Sequence, residues 1–96
     1  MPMKEDRIKT LLQASKSAGP LTVGFLLVPN FSMLAFASAL EPLRAANRMS
    51  GQNLFSWVIS SPTGAATEAS NGVKVDVKCT PEMLQDCRLV FVCAGL

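Results

Sequence analysis

The sequence contains no histidine. This absence excludes Ser-His-Asp triads, Cys-His pairs and imidazole metal ligands from the polypeptide. The cysteines number three (Cys79, Cys87 and Cys93) and lack CxxC spacing, so we expect neither a disulfide framework nor a zinc site. Reduced thiols of this kind are typical of cytoplasmic proteins. We therefore predict a cytoplasmic chain with no catalytic residue, no metal and no cofactor.

Long apolar runs and clustered charges are missing as well. No stretch reaches the roughly 18 consecutive apolar residues that a membrane span needs, and the polar N terminus lacks the apolar core of a signal peptide. The net charge is only +2, and the nine basic residues are scattered. Because contacts with DNA phosphates need clustered Lys and Arg, we expect neither a membrane partner nor DNA binding by this chain itself. A hydrophobic content of 49% is typical of a globular domain.

The first predicted element is a buried strand. Residues 1–20 are polar with mixed charge, and we predict that they form a flexible tail. The apolar run from Leu21 to Val28 is too short for a typical helix and suits a strand that is buried on both faces of a parallel sheet. Pro29 and Asn30 end this strand.

Residues 31–49 are predicted to be helical, because Met33, Phe36 and Leu40 begin an apolar stripe with spacings of three and four. Pro42 would cost about 3 kcal/mol in a helix interior. The pattern Ser38-x-x-Glu41 matches a capping box, which could start a second segment just before that proline. We therefore predict a short turn at 32–37, a kink, and a main helix at 39–49.

Strand patterns and helix patterns alternate in the rest of the chain. The predicted elements are a strand at Phe55–Ser60, hairpin arms at 66–69 and 73–78 around Asn71 and Gly72, a short helix from Thr80 to Asp86, and a doubly buried strand at Leu89–Cys93. This order predicts an α/β fold with a parallel sheet and a β-hairpin near 66–78. Since one full helix cannot cover both faces of such a sheet, we expect an incomplete domain that folds poorly alone.

The block FSMLAFASALEPLRAANR, which follows GFLLVPN, carries a family resemblance. Together with LFSWVISSPTG, EASNGVKV and LVFVCAG in the same order, it resembles the opening of the class I glutamine amidotransferase-like domain found upstream of AraC-type DNA-binding domains. The most similar group is the regulators of arginine, carnitine and glycine betaine catabolism. The resemblance covers 21–96 and implies the N-terminal half of a sensing domain with a flavodoxin-like fold.

The same resemblance implies partners and a function. A small metabolite such as an amino acid or a quaternary amine would be the effector of a homodimeric regulator, and DNA would be bound only through a downstream domain. Enzymes of the related ThiJ/PfpI superfamily carry an acidic residue on the first helix, where this sequence has Ala35 or an apolar neighbour. Their nucleophilic cysteine would lie beyond Leu96. Both differences argue against an enzyme.

Two alternatives to a sensor remain open. One is a fragment of a ThiJ/PfpI-type enzyme, such as a hydrolase or a glyoxalase-like protein. The other is a dimerisation module without a ligand, which would use the polar helix face of Glu41, Arg44 and Arg48. Cys93 is a poor candidate nucleophile, since a reactive thiol needs a base or a cationic neighbour.

The candidate ligand-binding residues follow two strands of the predicted sheet. Ligands in such folds bind beyond the carboxyl ends of the strands. The residues that follow two of the predicted strands are therefore the candidates: Asn30, Phe31, Ser32, Ala94 and Gly95. Backbone N–H groups at the helix start could hold a carboxylate, and Phe31 could attract a quaternary ammonium group. The alternative is simple helix capping with Phe31 packed on the core. The small Ala94 and Gly95 would let a ligand approach closely, or would form an ordinary strand-to-loop turn.

Overall fold

A three-stranded parallel sheet forms the centre of the computed structural model, which describes residues 19–95. Its strands are β1 (Leu21–Leu27), β2 (Phe55–Ser60) and β5 (Leu89–Cys93), in the spatial order β2-β1-β5. The apolar β1 lies in the middle and pairs with both neighbours. The predicted α/β fold with a parallel sheet is confirmed. The predicted tail lies outside the described residues, except for its last two positions.

The helix α1 (Met33–Ser50) packs on one face of the sheet. The ring of Phe36 meets the ring of Phe25 on β1 edge-on, with 5.5 Å between the ring centroids. The core between helix and sheet consists of buried residues from three parts of the chain: Val23, Phe25, Leu27, Phe31, Phe36, Ala69 and Cys93. The apolar stripe of the sequence therefore faces the core, as its spacing predicted.

The predicted break before Pro42 is wrong. One helix runs through Pro42, and its N-cap is Ser32, whose Oγ accepts a hydrogen bond from the Ala35 N–H at 3.2 Å. Ser38 lies inside the helix. Because Pro42 is exposed, its missing N–H frees one carbonyl near solvent, and packing of the apolar stripe on the sheet outweighs that loss. The helix ends at Gly51, which has the left-handed φ of 68°.

The opposite face of the sheet is covered by the 3₁₀ helix Pro81–Asp86, at the position where a short helix was predicted. Gly24 on β1 lets this segment approach, because a Cβ at Gly24 would lie 2.7 Å from Cδ2 of Leu84 and 3.0 Å from Sγ of Cys87. The 3₁₀ helix contacts β1 and β2. The tight 3₁₀ geometry suits a segment of only six residues.

The predicted hairpin near 66–78 is present, with shorter arms. Strands β3 (Thr67–Glu68) and β4 (Lys74–Val75) pair antiparallel, and the turn between them uses the left-handed φ of 88° at Gly72. A parallel bridge from Ala69 to Phe31 attaches the hairpin to the loop after β1. The hairpin therefore lies beside the carboxyl end of β1.

The double burial predicted for Leu89–Cys93 is wrong for the described residues. Cys93 is buried, whereas the side chains of Leu89, Val90, Phe91 and Val92 are all exposed. β5 is an edge strand of the described sheet, and the 3₁₀ helix on the opposite face from α1 packs on β1 and β2. A continuous apolar run is typical of a strand that is covered on both faces. Within residues 19–95, the faces of β5 are covered only in part.

Candidate functional site

An open cleft lies at the carboxyl ends of β1 and β5, beside the start of α1. It is lined by Ser32, Ser70, Ala94 and Gly95 and has a volume of about 570 Å³. Three of these residues are among the five predicted from the sequence. They come from two segments that are distant in sequence, and the parallel pairing of β1 with β5 brings them together.

Three backbone hydrogen bonds hold the walls of the cleft. The Ser32 N–H donates to the carbonyl of Ala94 at 3.1 Å, which joins the start of α1 to the end of β5. The Ser70 N–H donates to the carbonyl of Phe31 at 2.9 Å. The Asn30 N–H donates to the carbonyl of Glu68 at 2.8 Å. The loops after β1 and β5 and the hairpin thus form one connected rim.

The rim is tightest at Gly95. A Cβ on Gly95 would collide with the carbonyl oxygen of Asn30 and would lie 3.4 Å from the backbone nitrogen of Ser32. Asn30 has the left-handed φ of 68°, which Asn tolerates better than most residues. Glycine at 95 and asparagine at 30 therefore let the two loops pass each other closely.

The predicted site residues Asn30 and Phe31 have different surroundings. Asn30 is exposed at the rim. The side chain of Phe31 is fully buried, and its ring meets that of Phe36 edge-on at 6.0 Å. The structure thus agrees with the alternative in which Phe31 packs on the core. Its aromatic face is not available to a quaternary ammonium group in the cleft.

Ser70 is a cleft residue that the sequence reasoning missed. It directly precedes the turn residues Asn71 and Gly72, which marked the hairpin but gave no information on where the hairpin docks. The bridge between Phe31 and Ala69, together with the hydrogen bonds from Ser70 to Phe31 and from Asn30 to Glu68, brings Ser70 to the cleft. The position depends on a contact between segments far apart in sequence, which local patterns do not report.

The polar side chains of the cleft are those of Ser32 and Ser70. All four lining residues are uncharged. The first turn of α1 carries no acidic side chain, so the positive end of the helix dipole is not neutralised within that turn. Serine hydroxyls and backbone N–H groups can donate hydrogen bonds to a ligand in such a place.

The surroundings of Cys87 and Cys93 disfavour the thiolate form that a nucleophile needs. Burial raises the pKa of the Cys93 thiol above its ordinary value. The pKa of Cys87 is raised by burial first, and then by the nearby Asp86 and Cys79. Both thiols therefore stay protonated at neutral pH.

Among residues 19–95, no group of three or more His, Cys, Asp or Glu side chains could hold a metal ion. No helix in this part of the chain is long and apolar enough to cross a bilayer.

The order β2-β1-β5 and the position of the cleft define a class of protein. In flavodoxin-like α/β domains the ligand lies at the point where the strand order reverses, beyond the carboxyl ends of the strands. Here that point lies between β1 and β5, and the cleft occupies it. The described residues therefore form a flavodoxin-like α/β unit.

Known transcription regulators contain a similar segment. The chain is 42% identical over 82 residues to the HTH-type transcriptional regulator GlxA of Rhizobium meliloti, covering 85% of this chain and 25% of that protein. It is 36% identical over 81 residues to GbdR of Pseudomonas aeruginosa, covering 84% of the chain and 22% of GbdR. It is 45% identical over 71 residues to CdhR of the same species, covering 74% and 21%. No family model matches the chain.

A solved structure agrees with these relatives. An AraC family transcriptional regulator from Pseudomonas putida superposes with a TM-score of 0.71 at 28% identity, covering 80% of this chain and 42% of that one. The chain is therefore homologous to a segment of AraC-family transcriptional regulators, as the sequence resemblance predicted. It spans about a quarter of the curated relatives, at most 25% of their length.

Proposed function

We propose that this chain is the effector-sensing part of an AraC-family transcriptional regulator and that the cleft is its effector site. The observation that carries the proposal is the position of the cleft at the strand-order reversal, in a segment shared with HTH-type regulators. The role is non-catalytic, since the relatives are regulators and the buried thiol of Cys93 is protonated at neutral pH.

The effector is a small metabolite such as an amino acid or a quaternary amine. A volume of about 570 Å³ is in the range of pockets for small ligands. The uncharged lining and the helix start favour recognition of a carboxylate through backbone N–H groups and the hydroxyl of Ser70. Because the ring of Phe31 is buried in the core, an aromatic contact with a quaternary ammonium group would need another residue.

DNA contact belongs to other parts of the regulator. The described residues contain one α-helix, whereas a helix-turn-helix needs two helices, and the net charge of the whole chain is only +2. The output is therefore a change of shape or assembly that a separate DNA-binding domain reads. Such a regulator acts in the cytoplasm, and the homodimer is its expected form.

A thermal-shift screen of the full-length protein that contains this chain tests the effector site. The probes are the common amino acids, including arginine, together with carnitine and glycine betaine. A true effector at a hundredfold excess over its Kd stabilises the folded state by about 2.7 kcal/mol, which raises the melting temperature by several degrees. Isothermal titration with the strongest probe then measures the Kd.

A matched pair of variants assigns that binding to the cleft. Ala94→Phe fills the cleft from one wall, and Ala66→Phe adds the same side chain at an exposed position outside it. We expect the first variant to lose the shift and the second to keep it. Equal shifts in both variants would place the ligand elsewhere. No shift with any probe, from a folded dimeric chain, would favour the dimerisation module.

A further inference from the structure

Glu68 is a charged residue on the rim of the cleft, and the proposed function gives it no role. It belongs to β3, and its backbone carbonyl accepts the hydrogen bond from the Asn30 N–H at 2.8 Å. The carbonyl oxygen of Asn30 in turn lies against Gly95, which lines the cleft. The backbone of Glu68 is therefore held beside the wall of the cleft.

The carboxylate of Glu68 lies beside the turn of the hairpin. Burial alternates along this strand: Thr67 and Ala69 are buried, whereas Glu68 is exposed, so its side chain points away from the core. A Cβ on Gly72 would lie 3.7 Å from Oε1 of Glu68. Ser70 is two residues from Gly72, so at most about 7 Å separate their Cα atoms. The carboxylate and the cleft-lining Ser70 therefore lie at the same end of the hairpin.

The negative charge of Glu68 is not used within the described part of the chain. Lys74 lies opposite Glu68 in the antiparallel register of β3 and β4. Among residues 19–95, however, the salt bridge is the one between Glu41 and Arg44 on α1, and the carboxylate of Glu68 contacts no cation. The residues that line the cleft are uncharged. Glu68 can therefore attract a positive group of a ligand at the mouth of the cleft.

We propose that Glu68 binds the cationic group of the effector at the mouth of the cleft, so that the cleft selects a zwitterion over a simple carboxylate. The inference rests on the proposed function, which makes the cleft the effector site and leaves the cation without a partner. The ring of Phe31 cannot be that partner, because it is buried in the core. A simple anion would gain nothing from Glu68 and would be repelled by its charge.

Probes that differ only in a cationic group test this assignment, by isothermal titration of the full-length protein. Glycine betaine is compared with tert-butylacetate, in which carbon replaces the charged nitrogen. Arginine is compared with citrulline, which lacks the guanidinium charge, and with guanidinovalerate, which lacks the amino group. We expect the probe that binds to lose about three- to fivefold in affinity in one of its analogues, the range of a partly exposed ion pair.

The outcomes separate this inference from the proposed function. If no probe binds, both are wrong. If a probe binds and each of its analogues binds as tightly, the cleft remains the effector site, but the role of Glu68 is overturned.

A substitution assigns the difference to Glu68. Glu68→Gln keeps the size of the side chain and removes its charge. It should weaken binding of the cationic probe about three- to fivefold and leave the Kd of the neutral analogue within about twofold. Glu82→Gln is the control, because it removes the same charge from an exposed position on the 3₁₀ helix, outside the cleft. Equal weakening of both probes by Glu68→Gln, or the same selective loss in Glu82→Gln, contradicts the proposal.

Salt dependence gives a readout that a purely structural role of Glu68 would not change. The advantage of the cationic probe over its neutral analogue should fall to less than about twofold at about 1 M salt, where the Debye length is about 3 Å. In Glu68→Gln the ratio of the two Kd values should be the same at low and high salt. An advantage that persists undiminished in high salt would show that Glu68 does not attract the cation.

Discussion

Gly95 shows how one missing side chain determines the shape of the cleft. Its backbone passes so close to the Asn30 carbonyl that a Cβ would collide with backbone atoms, which cannot move aside as a flexible side chain can. We expect Gly95→Ala to destabilise the fold by about 1–3 kcal/mol, the usual cost of overpacking, and to separate the loops after β1 and β5. Urea unfolding measures the loss.

Gly24→Ala is the matched control for this substitution. Its Cβ would also be too close to a neighbour, at 2.7 Å, but that neighbour is the far end of the Leu84 side chain. Neither glycine has a positive φ, so both substitutions test space alone. The Gly95 variant should lose clearly more stability than the Gly24 variant. Equal losses would mean that the rim can open freely.

Single residues of the site could be predicted from the sequence only where a local pattern marks them. Asn30, Ser32, Ala94 and Gly95 were predicted because strand ends mark the rim of a parallel sheet. Phe31 had two interpretations, since an apolar side chain beside a helix start suits both a staple and a pocket wall. Ser70 was missed because a short hairpin carries no local signal of the element that it contacts.

At the scale of elements, Asn47 connects α1 to β2. Its Nδ2 donates to the Phe55 carbonyl at 2.8 Å, and its Oδ1 accepts from the N–H groups of Leu54 and Phe55, both at 2.9 Å. We expect Asn47→Ala to cost about 2–3 kcal/mol, because each of these hydrogen bonds contributes about 1 kcal/mol. Asn47→Asp keeps the two hydrogen bonds that Oδ1 accepts. Its stability should therefore lie between that of the original protein and that of Asn47→Ala.

Chemical denaturation with circular dichroism checks this order of stabilities. Asn53→Ala, at an exposed position in the loop between α1 and β2, is the control. It should change the unfolding free energy by less than about 0.5 kcal/mol. If Asn47→Asp were as damaging as Asn47→Ala, the donor bond to Phe55 would carry the connection. If neither variant lost stability, the connection would rest on apolar packing between α1 and β2.

The errors in the predicted elements came from non-local packing. The capping pattern at Ser38 obeyed a local rule, but Phe36 and Leu40 pack α1 on the core, and the helix continues through Pro42. The run Leu89–Cys93 was correctly predicted as a strand. Its burial was not, because burial depends on what covers an element and is not a property of the strand itself.

At the scale of the whole molecule, β5 forms an exposed apolar edge of the described sheet. On β5, Leu89 is 52% exposed and Val92 is 64% exposed, and no strand among residues 19–95 pairs with the outer side of β5. Exposed apolar edge strands are templates for pairing between chains. The folded chain should therefore aggregate through β5 at high concentration, in addition to any specific dimer.

A single lysine on that edge tests this expectation. Val92→Lys should slow aggregation several-fold without loss of stability, because a charged edge resists strand pairing and Val92 gives up little burial. Val73→Lys is the control, since Val73 is 49% exposed on the hairpin and gains the same charge away from β5. Light scattering during a temperature ramp compares the two variants. Equal protection by both would assign the effect to net charge, and the open edge of β5 would then not be the site of aggregation.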